Sequence, residues 1–132
     1  MMYMLDTNIC IYIIKRRPPE IIEKFRTFSV SEIAISSVTL AELEYGVCKS
    51  QHSEKNRDAL ALFVSPLNIL SFDSLAAVKY GEIRAKLEKE GRIIGAMDML
   101  IAAHAMSLGL TLVTNNTNEF ERIDGLRLEN WS

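Results

Sequence analysis

The sequence predicts an α/β fold, a three-layer α/β/α sandwich built on a mostly parallel sheet of four or five strands. Short apolar runs alternate along the chain with amphipathic stretches at helical spacing. Hairpin signals are few, so successive strands are expected to be joined by helices that cover both faces of the sheet. No repeat, linker or low-complexity segment divides the 132 residues, and we expect residues 1–132 to form one domain.

The predicted strands are short apolar runs, each followed by polar residues. The first run, residues 3–5, ends abruptly on Asp6, and Thr7 or Asn8 is expected to cap the helix that follows. The five candidate strands are residues 3–5, 33–35, 67–72, 110–113 and, as a short last strand, 126–128.

Helices fill the intervals between these strands. Proline stops the first helix after about residue 15, and a capping box from Thr39 to Glu42 opens the third. Asp73 caps the longest helix, which ends at Gly91. The candidate helices are residues 8–15, 19–28, 39–47, a helix that contains residues 60–64 and ends before Pro66, 74–90 and 96–108. Residues 51–57 are either a polar loop or the start of the fourth helix. The buried side of the last helix is expected to comprise Met97, Ile101, His104 and Leu108.

Composition excludes several classes of function. A net charge of −2, with 48% hydrophobic and 24% charged residues, is ordinary for a soluble globular protein and argues against a nucleic-acid binder held by bulk positive charge. No apolar run approaches the roughly 20 residues that span a bilayer, and no secretion signal is visible, so we expect a cytoplasmic protein without membrane association. Cys10 and Cys48 form neither a disulfide framework nor a CxxC motif.

Side chains with metal-binding chemistry lie where the predicted strands end. Asp6 and Asn116 follow strands, and Glu42 lies in the first turn of the helix after the second strand. Because the carboxyl ends of parallel strands form the ligand crevice of such sheets, we expect these three residues at one edge. Asp98 lies in the first turn of the helix before the fourth strand. That helix runs antiparallel to the strands, and we expect its start near their other end, so the residues alone do not bring Asp98 to Asp6.

Three of these four residues also have a purely structural interpretation. Glu42 can belong to the capping box, Asp98 can complement the helix dipole, and Asn116 is of a type common in turns. Asp6 differs, because a carboxylate at a strand end among apolar residues needs polar partners or a metal. Two or three carboxylates held together repel one another, and Mg²⁺, which prefers oxygen ligands, would stabilise them.

Other chemistries fit the sequence less well. Asp6 could be the nucleophile of a phosphatase, but position 8 is Asn and offers no acid for proton transfer. A phospho-receiver, a signalling module of similar architecture, would use a mid-chain aspartate such as Asp73, which lacks an N-terminal acidic pair to hold Mg²⁺ with it. Neither His52 nor His104 looks catalytic, and the sequence contains no Ser/His/Asp set, P-loop or GxGxxG motif.

Four ordered blocks give a more specific signal. They are Tyr-Met-Leu-Asp-Thr-Asn at 3–8, Ser-Ser-Val-Thr-Leu-Ala-Glu-Leu-Glu-Tyr-Gly at 36–46, Asp-Met-Leu-Ile-Ala-Ala-His-Ala at 98–105 and Thr-Asn-Asn-Thr-Asn-Glu-Phe at 114–120. With these blocks at these spacings, nearly the whole chain resembles the PIN-domain ribonucleases, specifically the VapC-type toxins of bacterial toxin–antitoxin pairs.

The resemblance implies a PIN-like sandwich in which Asp6, Glu42 and Asp98 bind Mg²⁺ or Mn²⁺ and Asn116 fills the fourth position of the site. Many PIN domains carry Asp at that position, so an amide here would contribute no charge and puts a second metal in doubt. The residues that could donate hydrogen bonds to this site are Thr7, Ser37 and Thr114.

The same resemblance implies an activity and partners. VapC-type toxins are endoribonucleases, many attack tRNA, and the members that look most similar attack initiator tRNA at the anticodon. They form homodimers, are silenced by a VapB antitoxin and assemble with it into larger complexes. We therefore expect a Mg²⁺- or Mn²⁺-dependent endoribonuclease toxin that acts on RNA, with tRNA as its expected substrate.

Overall fold

The computed structural model describes residues 2–131, which form five strands and seven α-helices. The strands are β1 (Tyr3–Leu5), β2 (Ile33–Ser36), β3 (Asn68–Leu70), β4 (Thr111–Val113) and β5 (Leu128–Glu129). The helices are α1 (Thr7–Lys15), α2 (Pro19–Arg26), α3 (Ser37–Lys49), α4 (Ser53–Val64), α5 (Ser74–Glu90), α6 (Ala96–Ser107) and α7 (Thr117–Phe120). A short 3₁₀ helix, Val30–Glu32, precedes β2.

Every strand pairing in the sheet is parallel, and the strand order is β3-β2-β1-β4-β5. β1 is the central strand, with Tyr3 opposite Ile33 of β2 on one side and Thr111 of β4 on the other. Because the strand order reverses beside β1, the carboxyl end of this strand lies at the position where open α/β sheets bind ligands. The predicted parallel sheet is confirmed, and its fifth strand begins two residues later than expected.

Side chains that alternate along the central strands supply two separate apolar cores. Met4 and Leu112 belong to the core that α5 and α6 cover. Their neighbours Leu5 and Val113 belong to the core that α1 to α4 cover. The predicted three-layer sandwich, with helices on both faces of the sheet, is therefore confirmed.

α1 begins one residue earlier than predicted, because Asp6 itself is the capping residue. Its Oδ1 accepts a hydrogen bond from the backbone N–H of Ile9 at 2.9 Å. The expectation that Thr7 or Asn8 caps this helix is wrong, since these are its first two residues. A carboxylate at a helix N-terminus also interacts favourably with the helix dipole.

The N-cap of α3 lies three residues before the predicted one. Ser36 caps the helix, and its hydroxyl accepts a hydrogen bond from the Val38 N–H at 3.0 Å. Thr39 lies inside the helix, fully buried, and its hydroxyl has no hydrogen-bond partner among residues 2–131. The predicted capping box of Thr39 and Glu42 is therefore wrong, because the serine that ends β2 starts the helix first.

The boundaries of α5 are those that the sequence predicts. The Asp73 carboxylate accepts a hydrogen bond from the Ala76 N–H at 3.0 Å, and Gly91 ends the helix in the left-handed conformation. Asp73 thus has the capping role that the sequence predicts. Although α5 is the longest helix described, no helix within residues 2–131 is long and apolar enough to cross a membrane.

The burial of α6 differs from the predicted one-sided pattern. His104 is buried, as predicted, but Met97 and Leu108 are 47% and 46% exposed. These two residues lie at the ends of the helix. Its middle is apolar and buried on nearly every side, so a single helical stripe does not describe it.

Candidate active site

Asp6 lies at the end of the central strand and is almost completely buried, with 3% of its surface exposed. Its backbone N–H donates to the Val113 carbonyl at 3.0 Å, which continues the pairing of β1 with β4. Its carboxylate accepts hydrogen bonds from the Ile9 N–H and from the Thr114 hydroxyl. The strand end therefore fixes both the position and the orientation of this carboxylate.

Burial raises the pKa of Asp6 from 3.8 to about 6. The hydrogen bonds from Thr114 and the Ile9 N–H oppose this change, because they stabilise the charged form. The carboxylates of Asp98 and Glu42 add to it by repulsion. Three acidic residues from distant parts of the chain thus come within electrostatic reach of one another.

Glu42 is oriented by a residue that follows Asp6 in sequence. The Thr7 hydroxyl donates a hydrogen bond to Glu42 Oε1 at 2.6 Å and joins the start of α1 to α3. Glu42 lies in the second turn of α3, where it does not cap the helix. Its carboxylate is half-buried and faces the same edge of the sheet as Asp6.

The structure brings Asp98 to the carboxyl edge of the sheet, which corrects the expectation from the sequence. α6 is followed by a tight turn at Gly109, after which the Thr111 N–H donates to the Met2 carbonyl at 3.0 Å. The end of α6 therefore lies at the amino edge, where β4 begins. Since the helix runs back along the strands, its first turn, about 18 Å away, lies at the opposite edge. The antiparallel direction was correct, and only the edge assigned to the helix start was wrong.

The environment of Asp98 contains a further acidic residue that the sequence analysis missed. Burial raises the pKa of Asp98, and the carboxylates of Glu119 and Glu42 raise it further. Glu119 lies in the short helix α7, after β4. The signal was present in the block at 114–120, where Glu119 follows Asn116 by one helical turn.

Asn116 lies at the carboxyl edge of the sheet, and the carboxylate that its side chain contacts is that of Glu119. Its backbone N–H donates to the Thr114 hydroxyl at 2.9 Å, and its side-chain Nδ2 donates to Glu119 Oε2 at 3.1 Å. Among the predicted supporting donors, Thr7 contacts Glu42 and Thr114 contacts Asp6. The third, Ser37, instead accepts a hydrogen bond from a backbone N–H of the segment between β3 and α5.

The donor chemistry of this site fits a hard divalent cation. Asp6, Glu42, Asp98 and Glu119 offer only oxygen ligands, which Mg²⁺ and Mn²⁺ prefer. The pKa values of Asp6 and Asp98 are raised in part by their acidic neighbours, and a cation would relieve that repulsion. Within residues 2–131, no group of three or more Asp, Glu, His or Cys side chains is arranged closely enough to hold a metal ion, so the carboxylates would have to move together around a cation.

A cavity of about 310 Å³ lies between α1, α3 and α4. Glu42 lines it on the side of α3, and Lys15, the last residue of α1, also lines it. The large apolar residues of its wall are Ile11, Ile14, Leu43, Val47 and Leu60. We call this cavity the α1–α3–α4 groove.

Comparisons with known proteins agree with this fold. The PIN domain family model matches residues 3–126. The protein named tRNA(fMet)-specific endonuclease VapC from Shigella flexneri is 51% identical over 130 residues, which are 98% of both chains. A solved structure of VapBC2 from Rickettsia felis, bound to a DNA fragment from the promoter, matches with a TM-score of 0.93 and 48% identity over 100% of both chains. DNA-bound VapBC from Salmonella typhimurium matches with a TM-score of 0.95 and 47% identity, over 100% of this chain and 99% of that one.

These matches extend over all the elements that carry the acidic site. The family model spans β1 to α7. The two solved structures cover 100% of this chain, with sequence identities of 48% and 47%. Sequence and fold thus agree over the full length of the site, and the chain belongs to the PIN-domain family and, within it, to the VapC ribonucleases.

Proposed function

We propose that this chain is a metal-dependent endoribonuclease toxin. The observation that carries the proposal is the convergence of Asp6, Glu42 and Asp98, from three distant segments, at the carboxyl edge of the sheet. Residues that serve only as helix caps or dipole partners need not meet. A buried carboxylate beside two others is costly without a cation, and this cost is retained in nucleases because the metal has a chemical use.

In this proposal, Asp6, Glu42 and Asp98 hold a Mg²⁺ or Mn²⁺ ion. When bound, such an ion activates water and neutralises charge on a phosphodiester. The Thr7 hydroxyl fixes the orientation of Glu42, and the Thr114 hydroxyl fixes that of Asp6. Support of this kind is known to set the affinity of metal sites.

Asn116 and Glu119 complete the site on the side of Asp98. We assign Asn116 to the fourth position that the resemblance predicts, where its amide holds Glu119 through the hydrogen bond at 3.1 Å. Repulsion from Glu119 contributes to the raised pKa of Asp98, and in this proposal the two carboxylates share a cation or a bound water. A carboxylate from α7 would supply the charge that the amide of Asn116 lacks.

The proposed substrate is RNA, with tRNA, and initiator tRNA in particular, as the expected target. The Shigella flexneri relative is named a tRNA(fMet)-specific endonuclease, and the identity of 51% extends over 98% of both chains. A chain with a net charge of −2 has no general attraction for a polyanion. The cation therefore has a second role, since it reduces repulsion between the acidic site and the phosphates.

The proposed partners are a VapB-type antitoxin and a second copy of the chain. The similar structures from Rickettsia felis and Salmonella typhimurium are VapBC complexes. The α1–α3–α4 groove, with apolar walls and Glu42 beside them, has the shape and chemistry to accept an amphipathic segment of such an antitoxin. A homodimer within a larger toxin–antitoxin complex is the assembly we expect.

The test is incubation of the purified chain with total cellular RNA in Mg²⁺, Mn²⁺ or EDTA, followed by mapping of new 5′ ends. We expect cleavage in either cation, concentrated in tRNA, and none in EDTA. Asp6→Asn and Asp98→Asn each remove a charge from the site and are expected to lower cleavage by roughly 100-fold or more with the fold intact.

The matched control is Asp124→Asn. Asp124 is an exposed carboxylate that pairs with Lys86 at 2.7 Å, and it contacts none of the four site acids. This variant should cleave RNA like the wild type. Full cleavage by Asp6→Asn, or by the wild type in EDTA, would contradict the metal-dependent mechanism.

A further inference from the structure

The imidazole of His104 joins three separate parts of the chain. Its Nδ1 lies 2.8 Å from the hydroxyl of Ser36, the N-cap of α3. A second hydrogen bond joins the ring to the backbone of Ser71, in the segment between β3 and α5. His104 is 1% exposed and Ser36 is fully buried, so these bonds are not exchanged with bulk water.

The hydrogen-bonding capacity of Ser36 and of the Ser71 backbone determines the protonation state of the His104 imidazole. The Ser36 hydroxyl accepts from the Val38 N–H at 3.0 Å, so its own proton is available to Nδ1 of His104. Burial lowers the pKa of His104, and the Asp73 carboxylate and the bond to Ser71 oppose that change without reversing it. A neutral ring that accepts at Nδ1 and donates its other N–H to the Ser71 carbonyl satisfies all of these groups together.

Aromatic packing holds the ring in this orientation. Phe72 makes an edge contact with the imidazole, with ring centroids 5.5 Å apart and planes at 75°. The backbone N–H of Phe72 donates to the hydroxyl of Ser37, the first residue of α3, at 3.0 Å. The segment between β3 and α5 thus holds both the ring on α6 and the start of α3.

The two helices joined by this contact carry two of the site carboxylates. Asp98 precedes His104 by six positions on α6, and Glu42 follows Ser36 by six positions along α3. At 1.5 Å per residue, each carboxylate lies about 9 Å along its helix from the contact. α3 and α6 also contact each other directly, so the two carboxylates are carried by packed helices. A displacement at the His104–Ser36 contact would therefore change the separation of the acids.

We propose that His104 is a positioning residue of the active site: by accepting the hydrogen bond of Ser36, it fixes α6 against the start of α3 and so sets the distance between Asp98 and Glu42. This inference rests on the function proposed above, in which those two carboxylates hold one cation. His104 itself touches neither the substrate nor the reacting atoms.

Two substitutions at this position separate positioning from packing. His104→Leu keeps a side chain of similar bulk but removes the acceptor, so Ser36 loses its partner. His104→Asn is smaller and leaves a cavity, but its carbonyl oxygen can occupy the place of Nδ1 and accept from Ser36. Both variants are expected to lose stability, whereas only His104→Leu loses the contact that sets the separation of the carboxylates.

The primary measurement is calorimetric titration of the full chain with Mn²⁺ alone, at a temperature where circular dichroism shows each variant folded. We expect His104→Leu to weaken Mn²⁺ affinity by roughly 10- to 100-fold and His104→Asn to recover most of that loss. In RNA cleavage, His104→Leu should lower kcat by a similar factor and leave KM unchanged, because a small displacement of catalytic groups affects the reaction more than substrate binding.

The control for packing is Ile101→Val, a conservative change at a fully buried position of the same helix. It should lower stability modestly and leave Mn²⁺ affinity unchanged. Wild-type Mn²⁺ affinity in folded His104→Leu would overturn the proposal, and so would an equal loss of affinity in Ile101→Val.

If His104→Leu does not fold, Ser36→Gly and Ser36→Thr test the same contact from the other side. Ser36→Gly removes the donor at little cost to the cap of α3 and should weaken Mn²⁺ binding, whereas Ser36→Thr keeps a hydroxyl and should not. Equal affinity in both would overturn the proposal. Failure of the proposed function would show itself differently, because Asp6→Asn would then bind Mn²⁺ as tightly as the wild type.

Discussion

At the scale of single residues, Asp6 combines a structural role with a chemical one. Its backbone is extended, with φ −77° and ψ 172°, and its carboxylate caps α1 through the Ile9 N–H. The same carboxylate lies near Asp98 and Glu42, which contribute to raising its pKa to about 6. The helix dipole favours its charged form, whereas burial and the neighbouring acids oppose it. A bound cation would change this balance, so metal binding and folding stability should be linked.

We predict that Asp6→Asn stabilises the metal-free protein at neutral pH while it abolishes cleavage. With a pKa of about 6 in the folded chain, against 3.8 ordinarily, Asp6 holds its proton more tightly in the folded state. Its contribution to stability is therefore fully present below pH 4 and is lost as the pH rises to about 6, at a cost on the order of 3 kcal/mol. Asn avoids this cost and remains a good helix cap.

The measurement is urea denaturation of both proteins in EDTA between pH 4 and pH 8. Asp6→Asn should be more stable above pH 6, and the difference should shrink towards pH 4. Added Mg²⁺ should stabilise the wild type and have little effect on the variant. A variant that is less stable than the wild type at pH 8 without metal would contradict the assigned cause of the raised pKa.

A second residue-scale prediction concerns Thr39. Its buried hydroxyl has no hydrogen-bond partner within residues 2–131, and an unsatisfied buried polar group costs about 1–3 kcal/mol. Thr39→Val replaces the hydroxyl with a methyl group of similar size, so we expect a gain of about 1 kcal/mol in the free energy of unfolding. Ser36→Ala, which removes the true cap of α3, should instead cost about 1 kcal/mol or more. Destabilisation by Thr39→Val would show that this hydroxyl has a partner after all.

Residue type and position predicted the roles of some residues better than those of others. Asp6 and Asp73 could be located because a carboxylate after a strand or before a helix has few alternative explanations. Thr39 and Glu42 matched a capping pattern that the preceding serine made unnecessary. Glu119 was overlooked because its significance depends on α7, which is only four residues long and has no periodic signal.

At the scale of secondary-structure elements, the edge of the sheet at which α6 begins decides whether Asp98 lies near Asp6. Local sequence predicted that Asp98 lies in the first turn of a helix, and that turn is where the structure places it. The edge of the sheet at which this turn lies depends on the short connection through Gly109 into β4. The predicted bounds, a helix to residue 108 and a strand from residue 110, already imply this connection. An antiparallel helix that ends where β4 begins must start at the carboxyl edge, so the misplacement of Asp98 was an error of inference and not a lack of sequence signal.

Two glycines of α5 should respond to alanine with opposite signs. Gly81 lies inside the helix, and a Cβ there meets no atom within 4 Å. Gly81→Ala should therefore stabilise the protein by about 0.5–1 kcal/mol, because alanine loses less entropy in a helix. Gly91 ends the same helix with φ +68°, where an L side chain is strained, so Gly91→Ala should cost about 1–2 kcal/mol. Chemical denaturation with unchanged m values would measure both, and a stabilising Gly91→Ala would refute the assigned cap.

At the scale of the whole molecule, the acidic site and the α1–α3–α4 groove meet at Glu42. Glu42 belongs to both, since it interacts electrostatically with Asp6 and also lines the groove. A partner that lays an apolar face in the groove can therefore reach the carboxylates with a neighbouring basic side chain. Arginine suits this position, because its guanidinium forms bidentate hydrogen bonds with carboxylates.

The last prediction follows from the position of Glu42 in both the site and the groove. If the antitoxin places a basic side chain among Asp6, Glu42 and Asp98, that side chain and Mg²⁺ compete for the same oxygens. Inhibition of RNA cleavage by a co-purified VapB-type antitoxin should therefore weaken as Mg²⁺ rises. Replacement of the partner's basic residues should remove the Mg²⁺ dependence and leave the contribution of the groove. Ile14→Lys, at a partly exposed position of the groove wall, should weaken that contribution at every Mg²⁺ concentration. Inhibition that responds neither to Mg²⁺ nor to loss of those basic residues would place the block outside the acidic site.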